Sequence, residues 1–203
     1  MAMTKEENDL ITKVEGDAPL GGLLKQHFWL PAAPAAKLEA DGAPLRIRLV
    51  GENYVLFRNT DGELGVLDEL CPHRKVSLTL GRNEKNGLRC IYHGWNFDKD
   101  GNLIDAPNVE GDKDRFCKSV KINKYKVVEK GGIAWLWLGK GDTPPPFPDL
   151  PFTNLPEEQR AVASVVVPTN WLQGVEASMD TTHVSWLHSS TTEIGGNTQI
   201  KNL

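Results

Sequence analysis

Cys71-Pro72-His73-Arg74, followed by Cys90-Ile91-Tyr92-His93-Gly94-Trp95, is the pair of segments on which the fold turns. As a spacing it reads C-x-H, then sixteen intervening residues, then C-x-x-H. Residues two or three apart on the tip of a hairpin loop can point at one object, and two such loops can clamp it from both sides. Pro72 stiffens the first loop and removes a backbone donor. Gly94 permits close backbone approach, so its N–H is expected to face the bound group. A zinc site of two Cys and two His uses the same residue types, but its usual first pair is C-x₂₋₄-C. Haem attachment would need C-x-x-C-H, which is absent.

The donor set fits a Rieske-type [2Fe–2S] cluster, in which two thiolates hold one iron and two imidazoles hold the other. Cys71 and Cys90 are then the inner ligands, and His73 and His93 the outer ones. Neutral imidazoles in place of thiolates raise the potential above that of an all-cysteine cluster. Cys117 is the one cysteine left over and reads as a buried or free thiol.

Around these segments, residues 28–140 are short β-rich runs broken by turn residues. Val55–Phe57 and Leu64–Leu67 flank Asn59-Thr60-Asp61-Gly62. Asn96–Asp98 and Leu103–Ile104 flank Asp100-Gly101, and Tyr125–Val128 and Ile133–Leu138 flank Gly131-Gly132. Three hairpin signals predict a small, mainly β domain of antiparallel hairpins. Ahead of it, residues 1–27 read as a helical segment. Thr4 caps a helix over 4–14, Glu7 completes a capping box, and a second turn covers 20–27.

Six prolines between Pro144 and Pro156 mark residues 141–160 as a linker. Beyond it, residues 161–203 are the start of a second domain. Ala161–Val167 reads as a strand, and Asn170–Asp180 as a helix capped by Asn170. Some forty residues are about the limit for burying a core alone, so this domain is expected to be incomplete or to pack on something else.

A second metal pattern lies here, Asp180-x-x-His183-x-x-x-x-His188. Two histidines and a carboxylate with open positions form the facial triad of non-haem Fe(II). On a straight helix at about 100° per residue, His183 and His188 would stand about 140° apart, too wide for one ion. An irregular turn is therefore expected between them, eased by Thr181, Thr182 and Ser185. Glu176 falls on the same helical face as Asp180, as a supporting carboxylate or a solubilising one. On spacing alone the histidine pair stays open between a metal role and a structural one.

Composition narrows the classes. The net charge of −4 gives no general help toward nucleic acid. The lysines at 118, 121, 124, 126 and 130 read as a solvated face, or more sharply as a docking patch for an acidic redox partner. The polar, acidic MAMTKEENDL is not a signal peptide, and no apolar run is long enough to span a membrane. Three cysteines without disulfide spacing fit a reducing cytoplasm.

The run from Asp68 to Trp95 and on to Pro107 closely resembles the Rieske domain of ring-hydroxylating oxygenases. Residues 81–102, GRNEKNGLRCIYHGWNFDKDGN, look most like the phthalate dioxygenase group. Respiratory-chain Rieske proteins add a disulfide beside the cluster, whereas position 76 here is Val and no cysteine lies near His93. The resemblance implies that His183 and His188 ligate a mononuclear Fe(II). It also implies that Asp180 bridges this iron to a Rieske cluster in a neighbouring subunit. Further implications are an α+β helix-grip catalytic domain, a head-to-tail homotrimer, and a flavin and iron–sulfur reductase as electron donor. O₂ and an aromatic substrate, weakly an aromatic carboxylate, complete the set for hydroxylation or O-demethylation. The family's third iron ligand comes from beyond residue 203, and Glu193 lies too close to His188 to resemble it. The likeness therefore covers the N-terminal half of the family's chains. The alternatives are a Rieske electron-transfer protein and a fragment that holds only the cluster.

Overall fold

Strand β3 (Glu52–Arg58) carries four consecutive buried residues, Tyr54, Val55, Leu56 and Phe57, so both of its faces are covered. In the computed structural model, which describes residues 3–183 and residue 186, this strand divides two cores. Val55 and Phe57 enter one core, which also holds Leu67, Leu78, Leu88, Phe97 and both Cys71 and Cys90. Tyr54 and Leu56 enter the other, with Ile47, Val66, Ala134 and Leu136. Alternation of period two makes this division unavoidable once the strand is central.

Among the described residues the strands form three antiparallel sheets. β2 (Leu45–Leu49), β3 and β4 (Leu64–Asp68) form one in that order. β1 (Leu30–Pro34), β10 (Ile133–Trp137) and β9 (Lys126–Lys130) form the second, with β10 central. The third holds β5 (Arg82–Glu84), β6 (Gly87–Arg89), β7 (Asn96–Asp98) and β8 (Leu103–Asp105). The three expected hairpins are β3–β4, β7–β8 and β9–β10. Each turn has its own chemistry. Asn59 Oδ1 accepts the Glu63 N–H at 2.8 Å. Asp98 Oδ1 accepts the N–H groups of Asp100 and Asn102 at 2.9 and 2.8 Å.

Helix α1 (Lys5–Thr12) begins with the expected capping box, Thr4 Oγ1 accepting from Glu7 N and Glu7 Oε2 from Thr4 N. α2 (Pro19–His27) is tied to β10, because its Gln26 carbonyl accepts the Trp137 indole N–H at 2.9 Å. α3 (Lys113–Ser119) packs on β8. Among the described residues, no helix is long and apolar enough to cross a membrane.

The proline-rich stretch does not hang free. Phe147 meets Trp29 at 6.0 Å and Trp135 at 5.4 Å, and Trp29 donates its indole N–H to the Pro145 carbonyl at 2.9 Å. Proline suits this role because an extended segment without N–H donors needs no ladder partners.

The chain divides into two compact units, residues 14–164 and a smaller one of 1–13 with 165–203. Within the smaller unit, α4 (Trp171–Met179) is capped by Asn170 as expected, with Oδ1 accepting the Leu172 N–H at 3.0 Å. The Asn170 amide donates to the Thr12 carbonyl at 3.1 Å. The strand expected over Ala161–Val167 is not formed. These residues are irregular, and Val165 and Val166 are 84% and 88% exposed. A β-rich run becomes a strand only when another backbone pairs with it.

Candidate metal centre

Two loops with the same hydrogen-bond pattern build the centre. In the first, the Cys71 N–H donates to the Val76 carbonyl, and the Cys71 carbonyl accepts from Lys75 N, both at 2.9 Å. In the second, Cys90 N donates to the Trp95 carbonyl at 2.8 Å, and the Cys90 carbonyl accepts from Gly94 N at 3.0 Å. The fifth residue of each loop, Lys75 or Gly94, is left-handed, with φ of 57° and 74°. The histidine sits two residues after Cys71 in the first loop and three after Cys90 in the second. The expectation that the Gly94 N–H faces the bound group is therefore corrected, because closing the turn consumes it.

These turns bury both cysteines and leave both histidines half-buried. The Cys71 and Cys90 side chains are within hydrogen-bonding reach of each other, and the N–H groups of His73 and Arg74 point at the Cys71 sulfur. Burial pushes the Cys71 thiol up to about 11, opposed by the His73 N–H and reinforced by Cys90. A thiolate here therefore needs a cationic partner, which a metal supplies. The imidazoles of His73 and His93 lie 4.6 Å apart, centre to centre. His73 is held below its usual range by loss of hydration, then by His93 and Arg74. Nδ1 of His93 is buried with no hydrogen-bond partner among the described residues. An orphaned imidazole nitrogen beside a second imidazole, and two thiols side by side, fit a group that takes two nitrogens at one end and two sulfurs at the other.

Three supporting groups escaped sequence reasoning. Arg89, 11% exposed in its side chain, donates to the Gly94 carbonyl at 2.6 Å, to Asp105 at 2.8 Å and to Glu84 at 2.6 Å. It thereby holds the second loop from below. Glu69 is buried before the first loop, accepting from Ser77 Oγ at 2.7 Å and pairing with Arg46 at 3.1 Å. Trp95 lies flat against His73, with centroids 4.5 Å apart and planes 5° apart. Arg89 and Glu69 each stand beside a loop cysteine or one residue from it, which is the signal that could have flagged them. At the loop tips Leu70, Ile91 and Tyr92 are 45%, 63% and 60% exposed.

Cys117 is a free, half-buried thiol packed on the first core. Of the lysine run, Lys124 pairs with Asp100 at 2.9 Å, and the other four are exposed.

The second signature is described only in part. α4 ends at Met179. Asp180 is extended, and its Oδ1 accepts the N–H groups of Thr182 at 3.0 Å and His183 at 3.3 Å. A break in the helix falls at Asp180, ahead of His183, where the carboxylate caps a new helical turn. Because Asp180 lies outside α4, the face shared with Glu176 is lost, and Glu176 is exposed. His183 is half-buried, while His188, Glu193 and most of the expected turn between His183 and His188 lie outside the described residues.

A paired-loop centre of two cysteines and two histidines on antiparallel hairpins defines an iron–sulfur domain, and comparison with known proteins agrees. Residues 28–126 match the Rieske [2Fe-2S] domain family, and residues 136–199 match the family described as LigXa C-terminal domain like. The chain thus carries a Rieske [2Fe-2S] domain followed by a segment of the LigXa C-terminal type. More particularly, it is 46% identical over 191 residues to the phthalate 4,5-dioxygenase oxygenase subunit of Pseudomonas putida. It is 36% identical over 193 residues to the 5,5'-dehydrodivanillate O-demethylase oxygenase subunit of a Sphingobium species. Each alignment covers 93% of this chain but only 43% and 44% of the relative, so the chain spans less than half the length of these proteins. Among solved structures, dicamba monooxygenase with non-heme iron and dicamba is 30% identical, with a TM-score of 0.51 over 57% of this chain and 34% of that one.

Proposed function

We propose that this chain is the cluster-bearing part of the oxygenase component of an aromatic ring-hydroxylating or O-demethylating system. The observation that carries the reading is the twin-loop geometry, which sets two buried thiols side by side and two imidazoles 4.6 Å apart. Cys71 and Cys90 would hold the inner iron of a [2Fe–2S] cluster, and His73 and His93 the outer one. When bound, the cluster supplies one-electron storage, and a mononuclear Fe(II) supplies O₂ activation.

The chain's own residues then have definable tasks. The Cys71 and Cys90 turns pre-form the sulfur pair, and the N–H groups aimed at Cys71 stabilise its thiolate. Arg89 fixes the Gly94 carbonyl and with it the approach of His93. Exposed Ile91 and Tyr92 give the loop tip an apolar surface for a protein neighbour. That neighbour is a reductase of flavin and iron–sulfur type or a second copy in a homotrimer.

Residues 28–140 form the cluster domain, 1–27 its helical lead, 141–160 the connection and 161–203 the start of the catalytic domain. There His183 and His188 are the Fe(II) ligands and Asp180 the bridging carboxylate. The names of the phthalate and chlorobenzoate dioxygenase relatives favour a carboxylated aromatic substrate.

Iron and acid-labile sulfide per chain, measured on anaerobically purified protein, test the reading. Three irons to two sulfides is the result expected if both centres assemble. Two irons to two sulfides would leave the cluster alone and make the chain an electron-transfer fragment. Protein without sulfide would refute the cluster assignment.

A further inference from the structure

We infer that Trp95 is a positioning residue for His73, lowering the potential of the centre, and that Asn108 holds it in place. The inference rests on the cluster reading above. The indole lies flat on the imidazole, 4.5 Å away and within 5° of parallel. Two contacts keep it there. Its Nε1–H donates to Asn108 Oδ1 at 2.8 Å, and Phe116 of α3 packs nearly perpendicular to it, at 5.4 Å and 77°. Trp95 is only 7% exposed, whereas Asn108 is exposed. One polar tether at the surface thus aims a buried ring at a ligand.

His93 has no flat-stacked partner, although the Tyr92 ring centre lies 3.9 Å from its own. Its ring meets Tyr92 at 44° and His73 at 59°. The two imidazoles are therefore unequal in their surroundings: Trp95 stacks flat on His73, whereas Tyr92 is tilted against His93.

Two physical effects act in the same direction. An oxidised cluster held by two thiolates and two neutral imidazoles is neutral overall, and it gains one negative charge when an added reductant supplies one electron. A ring sealed against His73 keeps water from solvating that charge. The indole face, negative in its quadrupole, repels it. Both disfavour the reduced form. The stack also fixes the imidazole plane, which shapes the electronic structure of the iron it binds.

The test compares the cluster-loaded full chain with Trp95→Leu, Trp95→Phe and Asn108→Ala. Each is titrated potentiometrically with dithionite and mediators, and the EPR spectrum of the reduced form is recorded. Trp95→Leu is expected to shift the potential upward and alter the g-anisotropy. Asn108→Ala should move both in the same direction by less. Trp95→Phe, which keeps a ring on the imidazole, should stay near the parent. Identical potentials and g values in the parent, Trp95→Leu and Asn108→Ala, with iron and sulfide fully retained, would overturn the inference and leave Trp95 a core filler. Should Trp95→Leu fail to hold a cluster, Asn108→Ala decides, because removing an exposed side chain opens no core. A parent chain without sulfide sinks the cluster reading, and the positioning role with it.

Discussion

A methyl group added at Gly94 would stand 2.7 Å from Pro107 Cγ, on a backbone already at φ 74°. Both objections, strain and collision, fall on the residue that closes the second loop. Gly94→Ala is therefore expected to cost about 1–3 kcal/mol of stability and to weaken iron retention by displacing His93. Chemical denaturation and iron content of the purified variant check this together. An unchanged midpoint with full iron would show that the loop relaxes freely around a side chain. Lys75, the equivalent residue of the first loop, bears a side chain at φ 57°. The left-handed conformation alone is thus tolerated there, and close packing against Pro107 is what demands glycine at 94. Arg89 makes a related point. A guanidinium can serve Gly94, Asp105 and Glu84 at once because its donors form a rigid fork.

At the level of elements, β10 joins both ends of the larger unit. It pairs with β1 and β9, and its Trp137 is 1% exposed with its N–H given to the Gln26 carbonyl. Trp137→Ala should cost about 3–5 kcal/mol, read as a lowered denaturation midpoint, and should loosen α2, which loses its anchor. Retention of the parent midpoint would mean that α2 is docked by other contacts. α4 shows the opposite behaviour of an element, ending where its sequence still permits helix. The Asp180 carboxylate takes over the N–H groups of Thr182 and His183, so the chain turns there. Short polar side chains compete with the backbone in this way, and helix arithmetic that assumes a straight axis misses it.

For the molecule as a whole, ionisation limits stability on both sides. Asp105 is held below its ordinary range first by Lys113 and then by Arg89, and Asp100 is held low first by Lys124. A carboxylate with a depressed folded pKa stabilises the native state above its unfolded value of 3.8 and stops doing so as pH falls through the folded one. Stability should therefore decline on acidification below about pH 4. Tyr54 and Tyr125 are pushed upward, chiefly by burial and then by hydrogen bonds to Glu52 and Asp68. Their neutral forms stabilise the fold fully below the unfolded value of 10.0, and that contribution is lost as pH rises beyond it. Thermal midpoints between pH 3 and pH 11 should thus form a plateau with two falling edges, assigned by Asp105→Asn on the acid side and Tyr125→Phe on the alkaline side. An acid edge unmoved in Asp105→Asn would remove the Asp105 pairs from the account.

Residue order alone settles what is local. Turn chemistry at Asn59, Asp98 and Gly131-Gly132 set the hairpins, Thr4 with Glu7 and Asn170 set helix starts, and C-x-H with C-x-x-H announced the donor set. Each of these signals is satisfied within a few residues, so spacing alone carries it. Which groups support the donors depends instead on contacts between residues distant in the chain. Arg89 reaches Asp105 across the sheet, Trp95 lies on His73 from the other loop, and Phe147 of the proline stretch seats itself on Trp29 and Trp135. The same holds for what failed to form. Ala161–Val167 has the composition of a strand but no pairing backbone among the described residues, and whereas a helix closes its own hydrogen bonds a strand must borrow them from elsewhere in the fold.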